Sequence, residues 1–261
     1  MVEPKQLRPD TQAQAQDVVD LFHFGCSNAT LEQGADAISN AIAWETPQTV
    51  LFLNAAKVAD REVDYRTMLA GADHLFADGQ SIVFASHLLR RPLPERVAGV
   101  DLMDELLSRG SAAGWKVFFL GSTDEVLADT SRLVGERYPG VQIAGTRNGY
   151  FDAAIDSAVA AEIKAASPDL LFVAMPSPRK EEWVLQYGPS TGASASMGIG
   201  GSLEVLTGRV DRAPEFFQRV GLEWAWRVGQ EPGRLWRRYA TSNFRFLSMV
   251  VGELVRSLRQ R

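Results

Sequence analysis

The residues of this chain best suited to chemistry stand where short apolar runs end. In the segment PDLLFVAMPSPRKEEW, residues 168–183, a fully apolar run (Leu170–Ala174) leads through a Pro-Ser-Pro turn to Arg179 and Lys180. Such a run is typical of a strand buried on both faces of a parallel sheet. Open α/β folds place ligand sites at the carboxyl ends of these strands. The pattern predicts that Arg179 and Lys180 bind a ligand, although a plain strand, turn and solvated helix start fits it equally well.

Two further strand ends carry side chains that suit acid–base chemistry and hydrogen bonding. The run Thr49–Leu53 ends at Asn54, and the run Leu75–Ala77 ends at Asp78 and a glycine. A carboxylate in this position can act as a general base, and an amide can bond the hydroxyl groups of a ligand. Structural roles compete with both interpretations, because Asp78 could cap a helix that starts at Ser81 and Asn54 could be a turn residue.

Two glycine turns supply candidate nucleotide-binding residues. These are Gly121, Ser122, Gly198, Gly200 and Gly201. Backbone N–H groups at the end of a strand can receive a nucleotide, and glycine lets the backbone approach it closely. The first turn, GSTDEV, lacks the three-glycine spacing of a dinucleotide fingerprint. Either turn could also serve only to reverse the chain.

The order of elements along the chain predicts how these candidates are positioned. We predict strands at 49–54, 75–77, 115–120, 141–146, 170–174 and from 195, and helices at 31–43, through 69, at 124–138 and at 152–166. Strands alternating with helices at this spacing indicate an α/β fold with a doubly wound, mostly parallel, Rossmann-like sheet. We expect a flexible N-terminus over 1–20, the α/β core over 21–208, and a helical, arginine-rich appendage over 209–261.

Composition narrows the class of protein. Hydrophobic residues make up 46% and charged residues 23% of the 261 positions, as in soluble globular proteins. No apolar run approaches the roughly 18 residues that span a bilayer, and the polar N-terminus lacks a signal core, so a cytosolic protein is expected. A single cysteine, Cys26, excludes an internal disulfide, and three histidines argue against a Cys/His metal cluster.

The segment from Arg209 onward is basic, whereas the rest of the chain is acidic. It carries 11 arginines, no lysine and five acidic residues, a net charge of +6, and the preceding residues carry 16 basic and 27 acidic side chains, a net charge of −11. Apolar residues from Phe244 to Leu258 recur at helical spacing opposite arginines, as in helices that lie in a membrane interface. Packing of this apolar face on the body or on a second copy is the alternative. Nucleic acid is not expected, because the acidic body would repel it.

A series of short motifs adds a family resemblance. They are Asn54, ADG at 77–79, RVAGVDL at 96–102, VFFLGS at 117–122, GYF at 149–151, PDLLFVA at 168–174, SPR at 177–179, GIG at 198–200, RAP at 212–214, GLEW at 221–224 and EP at 231–232. In this order and spacing the chain resembles the WecG/TagA/CpsF glycosyltransferases (glycosyltransferase family 26) over about residues 20–245. Most of these motifs are weak alone, and their combination is specific.

The resemblance implies an inverting transferase that moves a hexosyl unit from a UDP-sugar to an undecaprenyl-diphosphate-linked sugar in cell-surface polysaccharide synthesis. Such enzymes work as peripheral proteins on the inner face of the plasma membrane, and no metal or other cofactor is expected. Inverting transfer needs a base and groups that stabilise the departing diphosphate. The resemblance assigns Asp78 as the base, Asn54 as a contact to sugar hydroxyls, and Arg96 to the active site.

The appendage arginines and Asp101 also have expected roles. Three arginines of the appendage are candidates for the lipid diphosphate, since arginine forks suit phosphate oxygens. These are Arg227, Arg234 and Arg237. Asp101 is expected to cap the helix that starts there, although it could instead hold Arg96.

Three residues depart from the family pattern. Phe52 stands where threonine is common, Lys180 where glutamine is common, and Glu204 where aspartate is usual. Phe52 lacks the threonine hydroxyl, and Lys180 adds a positive charge. As the donor sugar, these changes favour another hexose, or a uronic acid contacted by Lys180, over the N-acetylmannosamine used in the family. They also keep open a non-catalytic relative that binds a polyprenyl-linked sugar or scaffolds a biosynthetic complex. The missing dinucleotide-binding fingerprint argues against an oxidoreductase. Whether the protein forms a homo-oligomer stays open.

Overall fold

Six parallel strands form the central sheet in the computed structural model, which describes residues 17–230 and 232–259. The strands of the described chain are β1 (Val18–Leu21), β2 (Phe24–Ser27), β3 (Gln48–Leu53), β4 (His74–Ala77), β5 (Lys116–Gly121), β6 (Gln142–Arg147), β7 (Leu170–Ala174) and β8 (Ala195–Gly198). The hairpin β1–β2 is antiparallel, and the other six strands run parallel in the order β4-β3-β8-β7-β5-β6. This confirms the predicted α/β, Rossmann-like fold.

Helices connect the strands and cover both faces of the sheet. They are α1 (Leu31–Ala43), α2 (Ala55–Val58), α3 (Tyr65–Leu69), α4 (Gln80–Leu88), α5 (Gly99–Ala113), α6 (Asp124–Arg137), α7 (Asp156–Ala166), α8 (Arg179–Tyr187), α9 (Ser202–Leu206), α10 (Glu215–Arg219), α11 (Glu223–Gln230) and α12 (Pro232–Arg259). Short 3₁₀ turns lie at Ala153–Ile155 and Gly188–Thr191. No helix in residues 17–230 and 232–259 is both long enough and apolar enough to cross a membrane.

Strand β7 shows why the sheet is buried on both faces. All five of its residues are buried. Leu171 and Val173 join one apolar cluster, and Leu170 and Phe172 join the other. Alternate side chains of a strand point to opposite faces, so an unbroken apolar run fills a core on each side. The sequence pattern therefore predicted this strand correctly.

The N-terminal hairpin corrects the expected boundary of the flexible segment. Residues 18–20, which we expected to be flexible, belong to β1 and pair with β2, while residues 1–16 lie outside the described part of the chain. Leu21 and Cys26 are fully buried. The turn passes through Phe22 and His23, both with positive φ. Both hairpin strands contain exposed residues, unlike the equally short β4 and β8, so they lack the unbroken apolar run that indicated those strands in the sequence.

The single helix predicted through Leu69 is also wrong, because the chain forms α2 and α3 with a turn between them. The carboxylate of Asp60 accepts hydrogen bonds from the backbone N–H groups of Glu62 and Val63, at 2.9 and 3.1 Å. Aspartate competes for backbone donors in this way and stops helices. Asp64 then caps α3 by accepting a bond from the N–H of Thr67.

Helix α12 has two apolar faces with different surroundings. Phe246 and Val250 are buried, and the Phe246 ring packs edge-on against Phe22 of the hairpin, with ring centroids 5.5 Å apart. Phe244 and Leu247 lie on the outer face and are 74% and 61% exposed. The packing alternative considered from the sequence therefore describes one face of this helix, and the other face remains open to an apolar partner.

Candidate active site

Parallel strands bring the candidate residues to one edge of the sheet, at the strands' carboxyl ends. Strands β3 and β4 are neighbours, with Leu53 beside Ala77. The backbone N–H of Asp78 donates to the carbonyl of Leu53 at 2.8 Å. Asn54 and Asp78 therefore stand next to each other, each one residue past the end of its strand.

The local roles of these two residues differ. Asn54 caps α2, since its side-chain oxygen accepts a bond from the N–H of Lys57 at 3.1 Å. The structural role considered from the sequence was that of a turn residue, whereas Asn54 is a helix cap at the edge where a ligand would bind. Asp78 is partly exposed, and Gly79, not Asp78, is the N-cap residue of α4. Asp78 therefore stands one residue before the N-cap of α4, and its role as the base stays a prediction.

Arg96 is held by three side chains. Its guanidinium donates to Glu223 of α11, to Gln218 of α10 at 3.1 Å, and to Asp101 of α5 at 3.3 Å. The N-cap of α5 is Ala98, so the expectation that Asp101 caps this helix is wrong. Asp101 instead accepts hydrogen bonds from Arg96 and from Arg212, whose guanidinium nitrogen lies 2.6 Å from the Asp101 carboxylate. Its carboxylate lies in the first turn, where it bridges two cations.

The first glycine turn has backbone geometry that few residues tolerate. Gly121 has a φ of +118°, and a Cβ there would lie 2.3 Å from the carbonyl oxygen of Ala174. Ser122 follows with a φ of +55°. Its N–H donates to Ala174 at 2.9 Å and its carbonyl accepts from Gly149 at 3.1 Å. This turn is therefore packed against the end of β7, which accounts for the glycine without any ligand.

Ser122 also joins the two glycine turns through Glu204. The Ser122 hydroxyl donates to Oε1 of Glu204 at 2.6 Å. Oε2 of Glu204 is buried and has no hydrogen-bond donor among the described residues. A buried carboxylate oxygen without a partner is costly. The sequence had marked Glu204 only as a departure from the family pattern, so its pairing with Ser122 was not anticipated.

The second glycine turn packs on Lys180. A Cβ at Gly198 would lie 2.9 Å from both Leu51 and Cγ of Lys180, and Gly200 has a φ of +54°. Gly201 is the N-cap of α9. Glycine at position 198 is thus required by the Lys180 stem, and a nucleotide role for this turn stays a prediction.

Arg179 and Lys180 are both paired in the structure. Arg179 donates to Asp156 of α7 at 2.7 Å, and Lys180 donates to Ser177 at 3.0 Å and to Glu181. Lys180 is 6% exposed. The Lys180 ammonium is thus engaged within the protein, and its predicted contact with a substrate stays a prediction.

Lys57 and Glu181 lie at the same edge, although sequence reasoning did not select them. The Lys57 ammonium lies 2.7 Å from Oε1 of Glu181 and also donates to the carbonyl of Phe52. Burial and the charge of Lys180 lower the pKa of Lys57 to about 8, against the opposing effects of Glu181 and Asp78. The only sequence signal was a lysine three positions after Asn54 and a glutamate in the charged run after β7.

Comparison with known proteins identifies the family of the chain. The family model described as "Glycosyl transferase WecG/TagA/CpsF family" matches residues 19–260. The chain belongs to this glycosyltransferase family. The earlier resemblance is therefore confirmed, and with it the transferase class of the protein.

Two curated relatives of this WecG/TagA/CpsF-family chain carry the description "N-acetylglucosaminyldiphosphoundecaprenol N-acetyl-beta-D-mannosaminyltransferase". The relative from Staphylococcus aureus (strain MW2) is 33% identical over 223 residues, covering 84% of this chain and 87% of its own length. The relative from Bacillus spizizenii is 38% identical over 174 residues, covering 67% of this chain and 66% of its own length.

The appendage of this WecG/TagA/CpsF-family transferase is helical, as expected. Arg227 lies in α11, and Arg234 and Arg237 lie in α12. The side chains of these three arginines are outside the described part of the structure. Their assignment to the lipid diphosphate stays a prediction.

Proposed function

We propose that this transferase moves a hexosyl unit, with inversion, from a UDP-sugar to an undecaprenyl-diphosphate-linked sugar in cell-surface polysaccharide synthesis. The observation that carries the proposal is the side-by-side position of Asn54 and Asp78 at the carboxyl edge, in a chain of this family. The names of the Staphylococcus and Bacillus relatives describe transfer to an undecaprenol-diphosphate-linked sugar, which supports a lipid-linked acceptor here.

In this proposal Asp78 is the general base. The acceptor hydroxyl attacks the anomeric carbon of the donor and gives its proton to the Asp78 carboxylate. The bond from the anomeric carbon to the UDP oxygen breaks, and its electron pair leaves with UDP. Attack on the face opposite UDP inverts the configuration. Asn54 is placed to orient sugar hydroxyls, and the sequence-based expectation is that no metal or other cofactor takes part.

The nucleotide is assigned to the turn at Gly121 and Ser122. Glu204 supports this assignment, since its carboxylate accepts the Ser122 hydroxyl at 2.6 Å and places a hydrogen-bond acceptor at the turn. A ribose hydroxyl or a uracil N–H is a donor of the required kind. Charged phosphate is less suited to this position, because a carboxylate would repel it.

Phe52 and Lys180, which depart from the family pattern, indicate which class of donor sugar fits the site. Phe52 is 5% exposed and belongs to an apolar cluster, with its ring 6.2 Å from that of Phe76. Its ring therefore packs in the core, so the threonine hydroxyl is lost without a bulky group entering the site. Lys180 is engaged with Glu181. Both observations favour a neutral hexose over a uronic acid that would have to draw Lys180 away from this carboxylate.

The proposed location is the inner face of the plasma membrane, where the protein would be peripheral. The outward apolar face of α12 and the basic charge of the appendage support this placement. The membrane would bring the appendage arginines to the lipid diphosphate. A homo-oligomer stays open, since an exposed apolar face can also receive a second copy.

The test is UDP release from a panel of neutral UDP-hexoses and UDP-uronic acids, with and without a polyprenyl-diphosphate-linked acceptor and with and without EDTA. We expect acceptor-dependent release from one neutral UDP-hexose, unaffected by EDTA. UDP binding without release from any donor and acceptor pair would favour the alternative, a non-catalytic relative that binds a lipid-linked sugar or scaffolds a biosynthetic complex.

A further inference from the structure

Arg96 and Arg212 converge on one carboxylate oxygen. Oδ2 of Asp101 accepts a hydrogen bond from Arg212 at 2.6 Å and another from Arg96 at 3.3 Å. Gln218 of α10 ties the same two segments together, because its side chain accepts from Arg96 at 3.1 Å and donates to the carbonyl of Ala213 at 2.6 Å. The two guanidinium groups are thus fixed close to each other, and paired arginine forks suit the several oxygens of a diphosphate.

This pair of arginines lies at the carboxyl edge of the sheet, beside the proposed base. The backbone N–H of Val97 donates to the carbonyl of Ala77, the last residue of β4, at 3.0 Å. Arg96 comes directly before Val97 and Asp78 comes directly after β4, so this bond joins their two segments. An anion bound at the arginine pair would therefore lie next to the place where the reaction is proposed to occur.

A carboxylate of the appendage covers Arg96 in this structure. Glu223, the first residue of α11, accepts a hydrogen bond from the other terminal nitrogen of Arg96. The side chain of Arg96 is 11% exposed, and that of Glu223 is 32% exposed. Asp101 is part of the core helix α5, whereas Glu223 belongs to the appendage, so Glu223 is the partner more easily exchanged. Its departure leaves two arginines with one carboxylate, a net positive charge that attracts an anion.

We propose that Glu223 is an internal competitor for this arginine pair, and that the diphosphate of a substrate displaces it and binds Arg96 and Arg212. A phosphate oxygen can replace a carboxylate oxygen, because both accept charge-assisted hydrogen bonds from guanidinium N–H groups. The inference rests on the proposed function, in which the donor and the lipid-linked acceptor each carry a diphosphate. Displacement of Glu223 frees the start of α11 from the core, so substrate binding and the position of the appendage are coupled.

Binding measurements on the full-length protein test the competition. Isothermal titration calorimetry at fixed ionic strength gives the dissociation constants of inorganic pyrophosphate, UDP and a short-chain polyprenyl diphosphate in detergent. Glu223→Gln removes the competing charge and should tighten pyrophosphate binding by about three- to tenfold. Arg212→Gln removes one fork and should weaken it by about tenfold. The same pattern with UDP assigns the site to the donor, and the same pattern with the polyprenyl diphosphate assigns it to the acceptor.

Arg132→Gln and Glu136→Gln are the matched controls. These residues form a surface pair in which both side chains are 58% exposed. Each change should alter the three dissociation constants by less than about twofold, because exposed charges interact weakly with a distant ligand. Unchanged affinity for all three probes in folded Glu223→Gln, or in folded Arg212→Gln, would overturn the inference.

Trp224 provides a second measurement that leaves the competing pair intact. It follows Glu223 in α11 and is 38% exposed. Displacement of Glu223 should change the fluorescence of Trp224 when pyrophosphate is added, and the change should be absent from Trp224→Phe. A constant signal at saturating pyrophosphate, or the same change in Trp224→Phe, would contradict the displacement. Neither measurement depends on turnover, so failure of every donor in the transfer assay would contradict the proposed function alone.

Discussion

The guanidinium of Arg96, in the α/β core, is hydrogen-bonded to the carboxylate of Glu223, the first residue of α11. The same guanidinium donates to Gln218 of α10, and its side chain is only 11% exposed. The arginine that the family pattern places in the active site therefore also joins the core to the appendage. Whatever displaces Glu223 from Arg96 is expected to loosen the appendage beside the site.

Glu223→Gln should weaken this connection. Replacing the carboxylate removes a charge-assisted bond to a nearly buried arginine, and we expect a loss of about 1–2 kcal/mol in the free energy of unfolding. Glu136→Gln is the control, because Glu136 pairs with Arg132 on the surface, where both side chains are 58% exposed. That change should cost under about 0.5 kcal/mol. Denaturant unfolding measures both, and equal losses would contradict a special role for the Arg96 contact.

Acid should destabilise the protein through Glu181. Burial by itself raises the pKa of this carboxyl, but the charges of Lys57 and Lys180 outweigh burial and lower the pKa from 4.5 to about 2. Because the pKa is lower in the folded state, the stabilising contribution is complete above pH 4.5 and is lost as the pH falls toward 2. The shift corresponds to on the order of 3 kcal/mol.

Unfolding measured as a function of pH tests this expectation. The free energy of unfolding of the wild-type protein should fall more steeply between pH 4.5 and 2 than that of Glu181→Gln. At neutral pH the variant should be less stable by about 3–5 kcal/mol, because it leaves two buried lysines without their carboxylate. Parallel pH curves for the two proteins would show that Glu181 does not carry this dependence.

Gly121→Ala should be strongly destabilising. The left-handed φ and the 2.3 Å approach of a Cβ to the Ala174 carbonyl leave no room for a methyl group, so we expect a loss of at least about 2 kcal/mol. Gly135→Ala, inside α6, has nothing within 4 Å of the added Cβ. There alanine should stabilise by about 0.5–1 kcal/mol, because it favours the helix. Thermal unfolding distinguishes the two variants. Changes of the same sign in their melting temperatures would contradict the close packing of Gly121 on Ala174.

Membrane binding should depend on the outward face of α12. The double variant Phe244→Ser, Leu247→Ser spares the face that packs on the hairpin. At roughly 1–2 kcal/mol per buried side chain, it should lower the partition coefficient onto anionic vesicles, measured by sedimentation, by at least about 30-fold. Tyr150→Ser is the control, since Tyr150 is 78% exposed on the loop after β6. Unchanged sedimentation of the double variant would favour a second copy as the partner of this face.

Sequence patterns predicted the elements that have strong local signals. Leu170–Ala174 is one apolar run, and it is the strand β7 that the run indicates. The hairpin strands β1 and β2 mix buried and exposed residues and gave no such signal. The pairing of Lys57 with Glu181 joins residues far apart in the chain, and only the parallel sheet brings them together.

For Lys180, the sequence predicted the position of the residue but not its partners. The sequence placed it correctly, just past a strand end, and favoured contact with a substrate. The structure shows its ammonium bonded to Ser177 and Glu181, because α8 starts within one residue of it. Position along the chain was predictable, whereas the partner of a charged side chain depends on neighbouring elements.

The most direct test of the account is acceptor-dependent UDP release by the wild-type protein beside Asp78→Asn, with UDP affinity measured on both. The amide keeps the shape of the carboxylate but cannot take the acceptor proton, so turnover should fall by at least about 100-fold. UDP affinity should stay within a few fold, because Asp78 is assigned to the acceptor and the nucleotide to the turn at Ser122. Full turnover in Asp78→Asn would contradict the assignment of Asp78 as the base.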